Sequence, residues 1–117
     1  MSLPPRATIK IRILHEEGFA MGPGKAALLE AIAATRSIAG AGRALGLSYW
    51  KTRRLLDEMN HCFTGPLVTT AKGGAQGGGA RVTETGMQAL ALFRAMEAEA
   101  DAAIARSLGT FQDLLRP

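Results

Sequence analysis

Cysteine is almost missing from this 117-residue sequence. It occurs once, as Cys62, so no internal disulfide can form, which points to a reducing, cytoplasmic setting. Histidine occurs twice. Neither His15 nor His61 stands at a usable spacing from a group of acids, and His61 directly beside Cys62 is a poor geometry for joint zinc ligation. The expectation is therefore no enzyme, no catalytic residue, no metal ligand and no cofactor. Long apolar runs are also lacking. The alanine-rich stretch 87–105 is broken by Arg94, Glu97, Glu99 and Asp101, short of the roughly 18 apolar residues that mark a membrane span. The opening Met-Ser-Leu-Pro-Pro-Arg holds no basic region leading into an apolar run, so a secretory signal is not expected. No membrane partner follows from these absences.

Hydrophobic residues at 47% and charged residues at 21% are an ordinary balance for one folded domain with a single core. Charge is distributed unevenly. Residues 1–83 carry eleven Lys and Arg against five acids, a net of +6, whereas residues 84–117 carry three against five, a net of −2. A basic body with a mildly acidic tail suggests a polyanionic partner, with a basic but merely solvated surface as the plainer reading.

Ile9-Lys10-Ile11-Arg12-Ile13-Leu14 alternates a β-branched residue with a basic one, a period of two that predicts a strand with one buried and one wet face. Residues 15–24 read as a loop. Pro23 suits the first turn of a helix, where its missing N–H costs nothing, and residues 25–35 continue it with Leu28, Ala31, Ile32 and Thr35 on one face. Ser37 is an N-cap for a short helix over 38–45 that stops at Gly46, and Ser48 caps a third helix over about 49–61. Pro66 closes that region. Two strands, at 67–70 and 80–83, flank the Gly-rich run Lys72-Gly-Gly-Ala-Gln-Gly-Gly-Gly and predict a hairpin. Thr83 caps a last helix over about 84–108, with a possible break at Gly109 before 111–115.

The segment 37–60 carries most of the inference. Two helices joined by a tight turn need small residues where they cross. Ala41 and Gly42 supply them, Gly46 can take a positive φ, and Leu45 and Leu47 plug the corner. Thr52, Leu55, Leu56 and Met59 recur at helical spacing and face inward. At 100° per residue, Trp50, Arg54, Asp57 and His61 then point away from the core, Arg53 lies at right angles, and Tyr49 and Lys51 flank the leading end. Long donors near the start of a helix are what the major groove of DNA requires, and arginine on guanine is the commonest specific contact. The expected DNA-binding set is Ser37, Ser48, Tyr49, Trp50, Lys51, Arg53, Arg54, Lys72 and Arg81. Alternatives stand beside it. Arg53 and Arg54 can pair with Asp57 and Glu58 at i,i+4, and Trp50 can pack on a neighbouring element or a second subunit.

The Gly-rich hairpin lacks the Gly-Lys-Ser/Thr ending of a nucleotide-binding P-loop and leads into a strand, not a helix. A wing that lets backbone N–H groups approach phosphates fits better, with an unbound tip as the other reading. In the last helix Met87, Leu90, Phe93, Met96, Ala100 and Ile104 form an apolar stripe at 3–4 spacing. A rod of roughly 37 Å exceeds what one small domain can cover, so the stripe is the expected homodimer interface, against the alternative of a helix folding back on its own domain.

The stretch 37–60, the Pro66-Leu67-Val68 strand, the Gly73-Gly74 and Gly77-Gly78-Gly79-Ala80 run and Thr83-Glu84-Thr85-Gly86 together resemble the N-terminal DNA-binding domain of the ModE molybdate-responsive regulators. This likeness covers roughly residues 24–95, and its broader relatives are the LysR-type winged helices. The resemblance implies a transcription factor that binds duplex DNA as a homodimer. It does not carry molybdate to this chain, because the C-terminal oxyanion-binding domains with their Ser-Ala-Arg-Asn type motif have no counterpart before Pro117. Trp50-Lys51-Thr52-Arg53-Arg54 is also bulkier and more basic than the family's usual run, so the operator is not transferred.

The expected architecture is mainly α with a small β-hairpin wing. It is a winged helix-turn-helix over 1–83 and a long C-terminal dimerisation helix over 84–117, in one compact unit. The expected function is sequence-selective binding of double-stranded DNA by a homodimeric regulator. The rival is a winged-helix adaptor whose basic face meets an acidic protein.

Overall fold

Short-range signals place most of the helices. The computed structural model describes residues 6–16, 18–74 and 77–117, with side chains at 72–78 excluded. The first five residues and the tip at 75–76, on which parts of the signal-peptide and wing expectations rest, lie outside that description. Helix α1 (Pro23–Thr35) starts on Pro23 as expected and ends where Arg36 turns left-handed at φ 57. Helix α2 (Ile38–Ala44) is capped by the Ser37 hydroxyl, which accepts from the Gly40 N–H at 2.8 Å. Helix α3 (Tyr49–Cys62) is capped likewise by Ser48, which accepts from Lys51 N–H at 3.1 Å. Between them Gly46 takes φ 71, a conformation that a side chain would strain, and Leu47 N–H returns to the Gly42 carbonyl at 2.8 Å.

Two small antiparallel hairpins accompany the helices. Strand β1 (Ile13–His15) pairs with β2 (Gly18–Met21), and β3 (Val68–Gly74) with β4 (Gly77–Val82). The first differs from expectation twice. The regular strand is three residues, not six, although Ile9, Ile11 and Ile13 are half-buried while Lys10, Arg12 and Leu14 are exposed. The segment read as a loop over 15–24 contains β2, because Gly18 at φ 134 supports the reversal and Ala20 and Met21 are then drawn into the core. In the second hairpin Val68 faces Val82 and Thr70 faces Ala80, with an irregularity between Ala71 and Gly74.

Helix α4 (Glu84–Gln112) is capped by Thr83, whose hydroxyl accepts from Gly86 N–H at 3.0 Å and donates to the Pro66 carbonyl at 2.7 Å. It runs through Gly109 without the expected break. An exposed glycine costs a helix only about 1 kcal/mol. No helix among the described residues is long and apolar enough to cross a membrane.

The core joins Leu28, Leu29 and Ile32 of α1 to Leu56 and Met59 of α3, Leu67, Val68 and Phe93. Each such side chain contributes about 1.5–3 kcal/mol by leaving water. Arg94 fastens α4 to α1 from outside, donating to both Glu30 oxygens at 2.6 and 3.2 Å and to Glu97 at 2.7 Å. These bonds hold the Glu30 carboxyl below its ordinary range and raise the guanidinium. Leu45, expected to plug the corner after α2, is 38% exposed instead, and Leu47 alone turns inward there.

Candidate nucleic-acid interface

Helix α3 divides into a buried face, an outer face and two flanks. Thr52, Leu56 and Met59 are buried, with Leu55 half-buried beside them. The Thr52 hydroxyl donates to the Ser48 carbonyl at 2.8 Å, so even its polar atom is satisfied within the helix.

The outer face carries Trp50, Arg54, Asp57 and His61, all exposed. Trp50 is 81% exposed, an unusual cost for the largest apolar side chain. Tyr49 meets it edge to face with ring centroids 6.5 Å apart. This aromatic pair stands at the leading end of α3, where Lys51 is also exposed.

The flanks differ. On one, Asn60 is fastened to the second hairpin: its Oδ1 accepts from Leu67 N–H at 2.9 Å and its Nδ2 donates to the Val68 carbonyl at 3.4 Å. Tyr49 and Arg53 share that flank, a placement 100° steps impose once Asn60 is anchored. Arg53 pairs with Asp57 at 3.7 Å. Arg54 and Glu58 do not form the second i,i+4 pair considered from sequence. Glu58 lies on the opposite flank, 3.7 Å from Lys25 Nζ.

Lys25 was not singled out by sequence reasoning. It is 1% exposed; its ammonium donates to the Phe19 carbonyl and sits 3.9 Å from the centre of the Phe19 ring, which Arg12 covers at 4.4 Å. Burial lowers its pKa, with Glu58 opposing the shift. The residue ties β2 and α1 to the far half of α3. No spacing signal marks it, because a lysine in the first turn of an amphipathic helix reads as solvated.

The remaining expected residues are dispersed. Ser37 and Ser48 have their hydroxyl oxygens engaged as caps. Arg81 is exposed in β4 opposite Thr69. Lys72 lies in β3, but its side chain falls outside the described residues. Of the stripe on α4, Met87 is 49% exposed and Met96, Ala100 and Ile104 are half-buried, whereas Leu90 and Phe93 are 8% and 0% exposed in the chain's own core. Those two are therefore committed to the domain itself. Among the described residues no group of three or more His, Cys, Asp or Glu is placed to hold a metal ion.

Comparison with known proteins adds relatives. The chain is 39% identical over 103 residues to the molybdenum-pterin-binding protein MopB of Rhodobacter capsulatus, a match covering 88% of this chain and 37% of that protein. It is 41% identical over 92 residues to MopA of the same organism, covering 79% and 33%. To the molybdenum transport protein ModE of Azotobacter vinelandii it is 38% identical over 89 residues, covering 76% and 33%. The chain spans about a third of the length of these curated relatives. None of their names denotes an enzyme, and the identities support the ModE family. No protein-family model matches the chain.

Proposed function

From this kinship we propose that the chain is the DNA-binding part of a ModE-type transcriptional regulator, a winged helix-turn-helix that acts as a homodimer. In this reading α3 is the recognition helix and enters the major groove of duplex DNA with its leading end. The β3–β4 hairpin is the wing, and α4 joins two copies.

The observation that carries the reading is the outer face of α3. A tryptophan 81% exposed stands beside exposed Lys51 and Arg54 on a helix whose other side is locked into the core. Desolvated against a base edge or sugar, Trp50 stops exposing its apolar surface to water. The acids Asp57 and Glu58 come later along α3, which restricts groove contact to about its first two turns. Two copies joined through the part of α4 beyond Met96 can present their recognition helices about 34 Å apart, one turn of DNA. Molybdenum appears in the relatives' names, but the shared stretch is about a third of their length, so the metal is not carried over to this chain.

Selection from a random duplex library, followed by binding measurements across salt concentration, tests the function. Enrichment of a recurring site, duplex preferred over single strands and affinity falling steeply with salt are expected. An unenriched pool with no duplex binding overturns the reading and leaves the protein-adaptor alternative.

A further inference from the structure

Arg53 and Arg54 are neighbours in sequence and both border the outer face of α3, but only Arg53 also reaches a second surface beside it. Arg54 shares the outer face of α3 with Trp50. Arg53 faces a cleft of about 330 Å³ between α2, α3 and the β3–β4 hairpin, lined by Ser37, Tyr49, Arg53, Thr70, Gly79 and Ala80 among others. The cleft is framed by backbone: Ala80 N–H donates to the Arg36 carbonyl at 2.9 Å, which pins the hairpin to the end of α1, just before the Ser37 cap of α2. The polar side chains that line it carry donors and no carboxylate. The outer face differs, since Asp57 lies on it with Trp50 and Arg54, and Arg53 and Glu58 border it from the two flanks.

We propose that this cleft holds a phosphodiester of the DNA backbone, bound by Arg53, Tyr49 and Thr70, so that Arg53 sets position on the duplex while Arg54 reads base edges. The proposal rests on the DNA reading above and deepens it. The major groove is about 12 Å wide, and a helix with its side chains measures about 10–12 Å. A helix that fills the groove turns its outer face to the bases and its flanks to the sugar-phosphate walls. The hairpin stands on the Arg53 flank, so Thr70 follows the same wall. A site with a guanidinium, hydroxyls that can donate and no carboxylate suits a phosphate, whereas a face with interspersed acids suits base edges, where carboxylates can accept from cytosine. Asp57, 67% exposed on the outer face, pairs with Arg53 at 3.7 Å from outside the cleft, a weak surface contact that a phosphate in the cleft can replace.

The test uses the full chain with two duplexes, the site recovered by selection and a shuffled version of it. Arg53→Ala is expected to weaken both by the same factor, about tenfold, and to reduce the slope of log affinity against log salt by about 0.9. Arg53→Lys, which keeps the charge, should restore the slope. Thr70→Val, shape-conserving on an exposed strand position, should weaken both duplexes equally and by less. A methylphosphonate scan of the selected site should find one neutralised position at which the parent protein binds as poorly as Arg53→Ala does to native DNA, with no further loss when the two are combined. A change in the ratio between the duplexes for Arg53→Ala would make Arg53 a base reader and overturn the assignment while leaving DNA binding intact. Unchanged affinity and slope would empty the cleft of phosphate and overturn it equally. If the parent binds no duplex at all, the DNA reading fails and the phosphate site falls with it.

Discussion

Gly42 and Thr52 meet where α2 crosses α3, so closely that a β-carbon on Gly42 would lie well under 3.0 Å from the Thr52 hydroxyl oxygen. Thr52 is fully buried and its hydroxyl is held by the Ser48 carbonyl, so it cannot swing aside without losing that bond. The missing side chain at Gly42 therefore sets how near the helices approach, and that approach sets how α3 leaves the body of the protein.

Gly42→Ala should consequently lower the free energy of unfolding. Overpacking costs about 1–3 kcal/mol, and the gain in helix propensity returns at most about 1 kcal/mol. Combining it with Thr52→Ala should cost less than the sum of the single changes, as measured by urea unfolding. Strictly additive costs would show that this contact is not the cause.

Trp50→Ala should leave stability within about 0.5 kcal/mol, the range of surface changes, while weakening binding to the selected duplex. Arg54→Ala should remove about 1–3 kcal/mol of discrimination between the selected and shuffled duplexes. The chain has one tryptophan, so its emission reports on this position directly. Emission of the parent that does not change when duplex is added, together with affinity unchanged by either substitution, would exclude the outer face of α3 as the contact.

Lys25 predicts a pH dependence. Burial lowers its pKa in the folded protein, so between that lowered value and the unfolded value of about 10.4 the unfolded chain binds more protons. Stability should rise with pH through that window. Lys25→Met preserves volume and removes the ammonium, and Glu58 is exposed enough to remain solvated. The substitution should abolish the rise and leave stability at pH 7 equal to or above the parent's. Urea unfolding from pH 7 to 10 decides it: an equally steep rise in the variant would place the proton elsewhere.

Homodimerisation through α4 predicts that Ile104→Glu yields a folded monomer by sedimentation equilibrium, with α4 still helical. A dimer that survives this change would move the interface off the distal half of α4. Phe93 cannot serve in the same test. It is fully buried in its own domain, and Phe93→Ala should cost about 3–5 kcal/mol of stability whatever the oligomeric state.

Much of the helical order is legible in the residues. Ser37, Ser48 and Thr83 cap the elements they were expected to cap, because a cap acts within three residues of itself. The wet and dry sides of α3 follow from its period for the same reason. Strand β2 was not legible: Gly-Phe-Ala-Met has no alternation, and it pairs through a reversal at Gly18. Leu90 and Phe93 sit on the same stripe as Ile104, and periodicity cannot say where along a helix the domain ends.

The sequence by itself thus determined where α1 to α4 begin and that Trp50 and Arg54 face water. Only the tertiary structure decided what stands beside each flank of α3: the hairpin next to Arg53, and a buried Lys25 reaching Glu58. Caps and helical faces arise from interactions within one or two turns, whereas a flank acquires its neighbour from chain that returns from a distance, as Arg94 does when it meets Glu30 across 64 residues.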